Sequence, residues 1–532
     1  MVSLRPYQLE AVKAIEEEWK TGKDKTLLVL PTGGGKTITF GQIAYDMRKY
    51  GRTLILAHRE ELLEQASDKL WKAFGLTTAL EKASNSCLDA IDNSIVVGSV
   101  QSLCREERLG KFPKDFFAQI IIDEAHHVMS DSYLKIIKYF DGAKVLGVTA
   151  TPDRADKKNL GRFFDSIAYE YTMADAINDG YLSKIMVQMI PLEIDISEVS
   201  MQNGDYRASE VSDALEPWLN AIADEMLTYC KDRKTVVFLP LVATSKKFKE
   251  ILNRKGFIAE EVNGESENRK EILKNFDDGK YNVLCNSMLL TEGWDCPTVD
   301  CIINLRPTKS RALYQQIVGR GTRLSDGKKN LLILDFLWNT AKHNLCRPSS
   351  LVAKSEEIAK KIDAKTKIGE EIDLLESEHL ANEEVIKERE EALAKELEAQ
   401  RKKKKRLVDP LQYAFSIMSE DLIDYEPTMF WEQLPPTDKQ IHFLENNGIN
   451  TDDLKNRGMA KMIIDRINDR RKQGLTTAKQ IRLLENYGFK NVGLWKMEEA
   501  SDMIGKIAEN GWYVPWTMKP QEYLPERLKT NG

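Results

Sequence analysis

The sequence predicts an α/β protein with two parallel-sheet domains, followed by a charged helical segment and a small helical repeat. Three observations predict it. Short apolar runs ending in polar turns alternate with segments of helical period, the pattern of a doubly wound sheet. The same arrangement begins afresh after an irregular acidic stretch, and beyond both lie a nearly continuous charged stretch and a motif repeated 40 residues apart. The expected organisation is a first sheet domain at 1–170, a connector or small insertion at 171–234 and a second sheet domain at 235–350. A charged helical hairpin or coiled coil at 351–406 and a helical module at 407–532 complete it.

The chain opens with LRPYQLEAVKAIEEEWK, in which Leu9, Val12, Ile15 and Trp19 share a helical face and Pro6 suits a first turn. LLVLPTGGGKT follows, from Leu27 to Thr37. Its apolar run reads as a buried parallel strand, Gly33, Gly34 and Gly35 make a tight loop, and a helix begins at Lys36 and Thr37. Backbone N–H groups and the positive helix end can there surround a phosphate, with Lys36 reaching the terminal phosphates and the Thr37 hydroxyl placed for magnesium. Leu30 stands where the strict phosphate-loop pattern has its first glycine, so by itself the stretch also reads as a glycine-rich strand-to-helix turn.

Further strands end in polar residues at what should be one sheet edge. RTLILAHREELLEQ carries His58, Arg59 and Glu60 at its exit, SIVVGSVQSL carries Ser99 and Ser102, and KVLGVTATP ends in Thr149-Ala150-Thr151. In QIIIDEAHH three isoleucines lead to Asp123 and Glu124, at the carboxyl edge where open parallel sheets bind ligands. Phosphoryl transfer needs a metal ligand and a group that orients the attacking water; Asp123 suits the first role and Glu124 the second.

The second series comprises TVVFLP, NVLCNS, DCIINL and NLLILDF. Between its strands lie LLTEGWDCP and YQQIVGRGTRL, the latter gathering Gln316, Gly319, Arg320 and Arg323 within about two helical turns. Arginines on such a helix are commonly surface residues.

Taken together, LRPYQ, PTGGGKT, DEAH, TATP, TEGWD and QQIVGRGTR, in this order, resemble the superfamily-two helicases and translocases. The likeness is to the DEAH-containing branch with type III restriction ATPase subunits, RadD-like and phage UvsW-like enzymes, and it covers Met1 to Asn344. It implies two RecA-like sheets facing each other with ATP and magnesium in the cleft. By this resemblance Gln8, with Arg5 and Tyr7, contacts adenine; Thr149 and Thr151 couple hydrolysis to motion; Gly293 and Asp295 sense nucleotide from the second domain. Gln316, Arg320 and Arg323 reach across, the arginines as fingers on the γ-phosphate. The nucleic acid strand lies across both sheets on amides, hydroxyls such as Ser99 and arginines such as Arg59. The implied activity is a nucleic-acid-stimulated ATPase moving on or unwinding single-stranded, duplex or branched DNA. An RNA helicase, or a nucleotide-gated scaffold on the same fold, is the alternative.

Composition is compatible with this. A chain of 532 residues, 42% hydrophobic and 30% charged, can bury several cores, and its net charge of −6 argues against coating nucleic acid by bulk charge. No apolar run approaches the ~20 residues of a membrane span, and MVSLRPYQLE has no signal-peptide pattern, so a cytoplasmic protein with no membrane partner is expected. Seven cysteines without a C-x-x-C pair indicate neither a zinc knuckle nor a disulfide framework.

From Ser355 to Arg406 the chain is almost continuously charged and ends in RKKKKR, which suggests long helices projecting from the core, with a basic end able to touch phosphates. TDKQIHFLENNGI then recurs as TAKQIRLLENYGF, two threonine-capped helical units suited to binding DNA or a protein partner. The terminal GWYVPW reads as core rather than a base-stacking platform.

Overall fold

The computed structural model describes residues 3–529 apart from 58, 59, 83, 84, 90–93, 151–159, 203, 204, 288–293, 295, 340–344, 367–369, 401–407, 424, 453 and 517. Strands and helices are counted among these residues. Arg59, Thr151, Gly293 and Asp295 lie outside them, as does the basic run 401–406. The chain forms two compact units, Met1–Val385 and Ile386–Gly532.

In the first unit, β1 (Lys25–Val29), β2 (Arg52–Ala57), β3 (Thr78–Glu81), β4 (Ile95–Ser99), β5 (Phe117–Asp123), β6 (Lys144–Thr149) and β7 (Ser166–Glu170) form one sheet. Its order is β3-β4-β2-β5-β6-β1-β7, and every pair is parallel. The runs are apolar without alternation because both faces are covered: Ile121 packs into one core and Ile120 and Ile122 into another, all fully buried. Register sets the site. Val29 lies opposite Thr149 and Asp123 opposite Val148, so β1, β6 and β5 end side by side.

A second parallel sheet follows, and it takes in part of the stretch expected to be a connector. β8 (Ile185–Asp195) leads into a hairpin of β9 (Met201–Gln202) and β10 (Asp205–Tyr206). β11 (Thr235–Phe238), β12 (Ala259–Val262), β13 (Val283–Asn286), β14 (Cys301–Asn304), β15 (Leu331–Asn339) and β16 (Glu371–Asp373) join β8 in the order β12-β13-β11-β14-β15-β8-β16. Only β16 runs antiparallel, against β8. Within the stretch expected to be a connector or small insertion at 171–234, part is a strand of the second sheet: β8 pairs with β15 from Ile185 opposite Leu331 to Asp195 opposite Asn339. Helices Ala208–Leu215 and Leu219–Tyr229 bury Val211, Leu215, Ile222 and Met226 with Val237 and Ile303 of the sheet. Their acidic residues occupy the outer faces, which made the stretch read as solvated.

The first half of the charged segment is likewise not a projecting hairpin. Helix Glu356–Lys365, capped by the Ser355 hydroxyl accepting from the Ile358 N–H, sinks Ile358 and Ile362 into the core shared by both sheets. Leu374, Ala381 and Val385, from the start of helix Leu374–Gln400, join them.

In the second unit the repeat is visible bond for bond. Thr437 and Thr477 each accept from the N–H of a glutamine three residues on, and Gln440 and Gln480 each return an oxygen to the threonine N–H at 3.0 Å. Leu444 and Leu484, Ala460 and Ala500, and Ile467 and Ile507 occupy equivalent buried places, whereas Leu454 is buried and its counterpart Leu494 is exposed. GWYVPW departs from expectation: Trp512, Tyr513 and Trp516 are 55%, 74% and 95% exposed. Gly511 and Trp512 both take positive φ at the end of helix Met497–Glu509, while the deep aromatic slot is filled by Trp495 against Phe489 and Tyr523. No helix among the described residues is long and apolar enough to cross a membrane.

Candidate active site

The phosphate loop is built by its neighbours. The Leu30 N–H bonds the Thr149 carbonyl at 3.0 Å, and the Gly34 N–H turns back onto the Pro31 carbonyl at 2.9 Å. Gly33 and Gly35 sit at φ +86° and +79°, a region that penalises any side chain, and a Cβ on Gly35 would come within 2.5 Å of the Gln8 amide nitrogen. Helix Lys36–Met47 starts directly after Gly35 without a side-chain cap, so its first N–H groups face the loop. Thr37, half-buried, is in that first turn.

The residues expected at adenine brace this loop. The Tyr7 hydroxyl donates to the Gly34 carbonyl at 2.8 Å and accepts from Arg5 at 3.2 Å; the buried Gln8 amide donates to the same carbonyl at 3.4 Å and accepts the Arg5 N–H at 2.9 Å. Tyr171 stacks on Tyr7 at 4.3 Å, and Tyr181 meets Tyr7 edge-on and lies under the Arg5 guanidinium at 5.0 Å. Both tyrosines escaped sequence reasoning, since neither sits in a motif.

At the end of β5 the chain turns sharply. Glu124 takes φ +51°, uncommon for a residue with a side chain, and its N–H bonds Asp123 Oδ1 at 3.0 Å. The Lys36 ammonium lies 3.1 Å from Glu124 Oε1, with both side chains largely buried. Glu124 Oε2 is buried without a hydrogen-bond partner and faces His126 Nδ1 at 3.5 Å. Burial alone would raise the Glu124 pKa, but Lys36, His126 and His127 outweigh it and hold the carboxyl below its ordinary value. Asp123 moves the other way: burial, then the Glu124 charge, push it up against the pull of Lys36. The two adjacent carboxyls thus differ in proton affinity, Glu124 staying ionised more readily than Asp123.

The second sheet supplies the opposite wall. Helix Arg311–Val318 buries Gln316, and the turn after it carries Arg320 and Arg323. A Cβ on Gly33 would lie 3.5 Å from Arg323 Cγ, and one on Gly319 would strike Thr32, so the arginine turn rests on the phosphate loop. Arg320, buried, donates to the Trp294 carbonyl, and burial lowers the Arg323 pKa. Lys69 in helix Glu60–Phe74 was also missed. This exposed side chain has its pKa lowered, by partial desolvation of the ammonium and then by the Arg323 charge, against the pull of Asp123. Thr149 is buried at the end of β6; Ser99 is buried at the end of β4, its hydroxyl donating to Gln101 at 2.9 Å.

Residues 1–154 match the family described as type III restriction enzyme, res subunit, and 219–325 match the helicase conserved C-terminal domain. The chain is 32% identical over 412 residues to the putative ATP-dependent helicase IRC3 of Saccharomyces cerevisiae, covering 73% of this chain and 59% of that protein. It is 28% identical over 375 residues to the type I restriction enzyme EcoAI endonuclease subunit of Escherichia coli, covering 63% and 46%. It thus spans about half the length of these curated relatives. Among solved structures, the fragment of a putative HsdR subunit of a type I restriction enzyme from Vibrio vulnificus YJ016 aligns with a TM-score of 0.51 at 27% identity, over 63% of this chain and 64% of that one. With both matched domains forming RecA-like sheets that meet at one phosphate loop, the core of this chain is that of a superfamily-two helicase of the restriction-ATPase type.

Proposed function

We propose that the protein is an ATP-driven motor on DNA, hydrolysing ATP between its two sheets to translocate on or unwind the strand. The observation that carries this reading is the convergence on one loop of Lys36, the Lys36-paired Glu124 and, from the other sheet, the Arg323 stem. Lys36 exchanges its carboxylate partner for the terminal phosphates, leaving Glu124 ionised beside an attacking water, and Glu124 takes the proton from that water as its oxygen attacks the γ-phosphorus and the bond to the β–γ bridging oxygen breaks, releasing ADP. Thr37 and Asp123 are the residues that would hold magnesium, and their hydroxyl and carboxylate oxygens, on the strand end and helix start around the glycine cradle, are the hard donors that ion takes; bound there, the ion would neutralise phosphate charge. Arg323 and Arg320 stabilise charge on the transferring group only when the sheets approach, so hydrolysis and release alternate with closing and opening.

DNA is preferred to RNA because relatives include proteins named as restriction-enzyme subunits. The C-terminal repeat is read as a module for structured DNA or a protein partner. The test is the ATPase rate measured without nucleic acid and with single-stranded, duplex and forked DNA and single-stranded RNA. Stimulation by DNA above RNA supports the reading; stimulation by RNA alone would replace it with an RNA motor, and slow turnover indifferent to all five conditions with a nucleotide-gated scaffold.

A further inference from the structure

The turn that carries the arginines is held from behind by a lysine outside every motif. Lys328 follows Gly327, whose φ of +79° folds the chain back, and its N–H closes the turn onto the Ser325 carbonyl at 3.1 Å. The side chain thereby returns to the arginine turn. An ammonium has three protons to donate. Here its partners are the carbonyls of Gly321, of Arg323 at 2.8 Å and of Pro297 at 3.3 Å. The carbonyl between the first two, that of Thr322, takes the Ser183 N–H at 2.6 Å. Every carbonyl from Gly321 to Arg323 is therefore pinned to the second domain, while Thr322 and Arg323 present their side chains to Gly33 of the phosphate loop.

The third bond adds a connection. Pro297 closes the segment after Trp294, and the Trp294 carbonyl accepts from Arg320. Two cationic side chains therefore stitch the arginine turn to Trp294 and Pro297. Lys328 Nζ is largely desolvated, with Asp300 as its opposite charge and Arg323 as a like one. Such a buried ammonium is costly unless its donors are met, and the three carbonyls meet them.

We infer that Lys328 is the positioning residue of the arginine turn: by fixing the carbonyls of Gly321 and Arg323 and tying them to Pro297, it keeps Arg323 aimed at the phosphate loop. This rests on Arg323 acting as a finger. Displacement of a catalytic group by about 1 Å can cost on the order of 100-fold in rate, so a loosened turn should show in turnover before binding.

The test uses the full chain with saturating single-stranded DNA and compares Lys328→Met, Lys328→Gln, Arg323→Ala and the double variant Lys328→Met/Arg323→Ala. In both Lys328 variants kcat should fall about 10- to 100-fold while the Kd of a fluorescent ATP analogue stays within about twofold. In the double variant kcat should drop less than about threefold below Arg323→Ala alone, because the lysine acts through the arginine. If Lys328→Met loses its cooperative unfolding transition, Lys328→Gln, too short to span all three carbonyls, decides by the same criteria. A folded Lys328→Gln with unchanged kcat beside a crippled Arg323→Ala overturns this inference alone, as does a fully multiplicative loss in the double variant. A near-wild-type Arg323→Ala overturns the finger reading itself and the inference with it.

Discussion

The ammonium of Lys36 lies 3.1 Å from Glu124 Oε1, so the phosphate-binding cation and the expected base neutralise each other across the end of the sheet. Removing either has different consequences. Lys36→Ala takes away phosphate affinity and leaves Glu124 buried and unpaired, whereas Glu124→Gln keeps the cradle and can still accept from Lys36. Both variants should lose turnover by at least about 100-fold. Equilibrium binding of a fluorescent ATP analogue should weaken at least about tenfold in Lys36→Ala and stay level or tighten in Glu124→Gln. Equal loss of affinity in both would contradict these roles.

The boundary of the catalytic unit gives a stability prediction. Beyond residue 344, Ile358 and Ile362 are buried in the core shared by the two sheets, and β16 pairs with β8 of the second sheet. Emptying one such isoleucine site costs about 2–5 kcal/mol, so a chain ending at 344 should be insoluble or melt well below one ending at 400. Thermal unfolding by circular dichroism compares the two. Equal melting temperatures would show that these elements only decorate the core. If the repeats bind structured DNA, the 1–400 chain should retain basal ATPase but lose affinity for forks.

A third expectation concerns pH. Burial raises Glu485 to about 7, although the Ser416 hydroxyl donates to it at 3.0 Å. Between the unfolded carboxylate value of about 4.3 and 7, the folded chain keeps a proton that the unfolded chain has released, so stability falls as pH rises through this window and then levels. Glu485→Gln keeps an acceptor for Ser416 without the charge. Its stability advantage over the parent should be near zero at pH 4 and grow to about 1 kcal/mol at pH 8, allowing for partial exposure. Melting temperatures of both chains across pH 4–8 check this; a pH-independent difference would contradict it.

How much of this was legible in the sequence depended on whether the information was local. PTGGGKT and IIIDEA each place a strand, a turn and a reactive side chain within about ten residues, and local sterics make such stretches readable. What lies between motifs was not readable. β8 opens with the apolar run IMVQMI, but Pro191 interrupts it and its partner β15 lies far along the chain, so its place in the second sheet is not a local property. Tyr171 and Tyr181 matter through Tyr7, and Lys328 through three carbonyls, relations that exist only after folding. Trp516 departs from expectation because aromatic composition reports an average tendency to bury, while Trp495, Phe489 and Tyr413 are the aromatics that fill the core of the second unit and Trp516 stays outside it.

The central claim is that two sheets complete one catalytic site, and Arg323 tests it most directly because it reaches Gly33 only through their apposition. The measurement is steady-state ATPase of Arg323→Ala with saturating single-stranded DNA, alongside binding of a fluorescent ATP analogue. Binding should be nearly intact, kcat should fall about 10³-fold, and DNA should no longer stimulate, since the interaction strengthens mainly in the transition state. Turnover within about threefold of the parent, the range of an ordinary surface substitution, would contradict the two-sheet site.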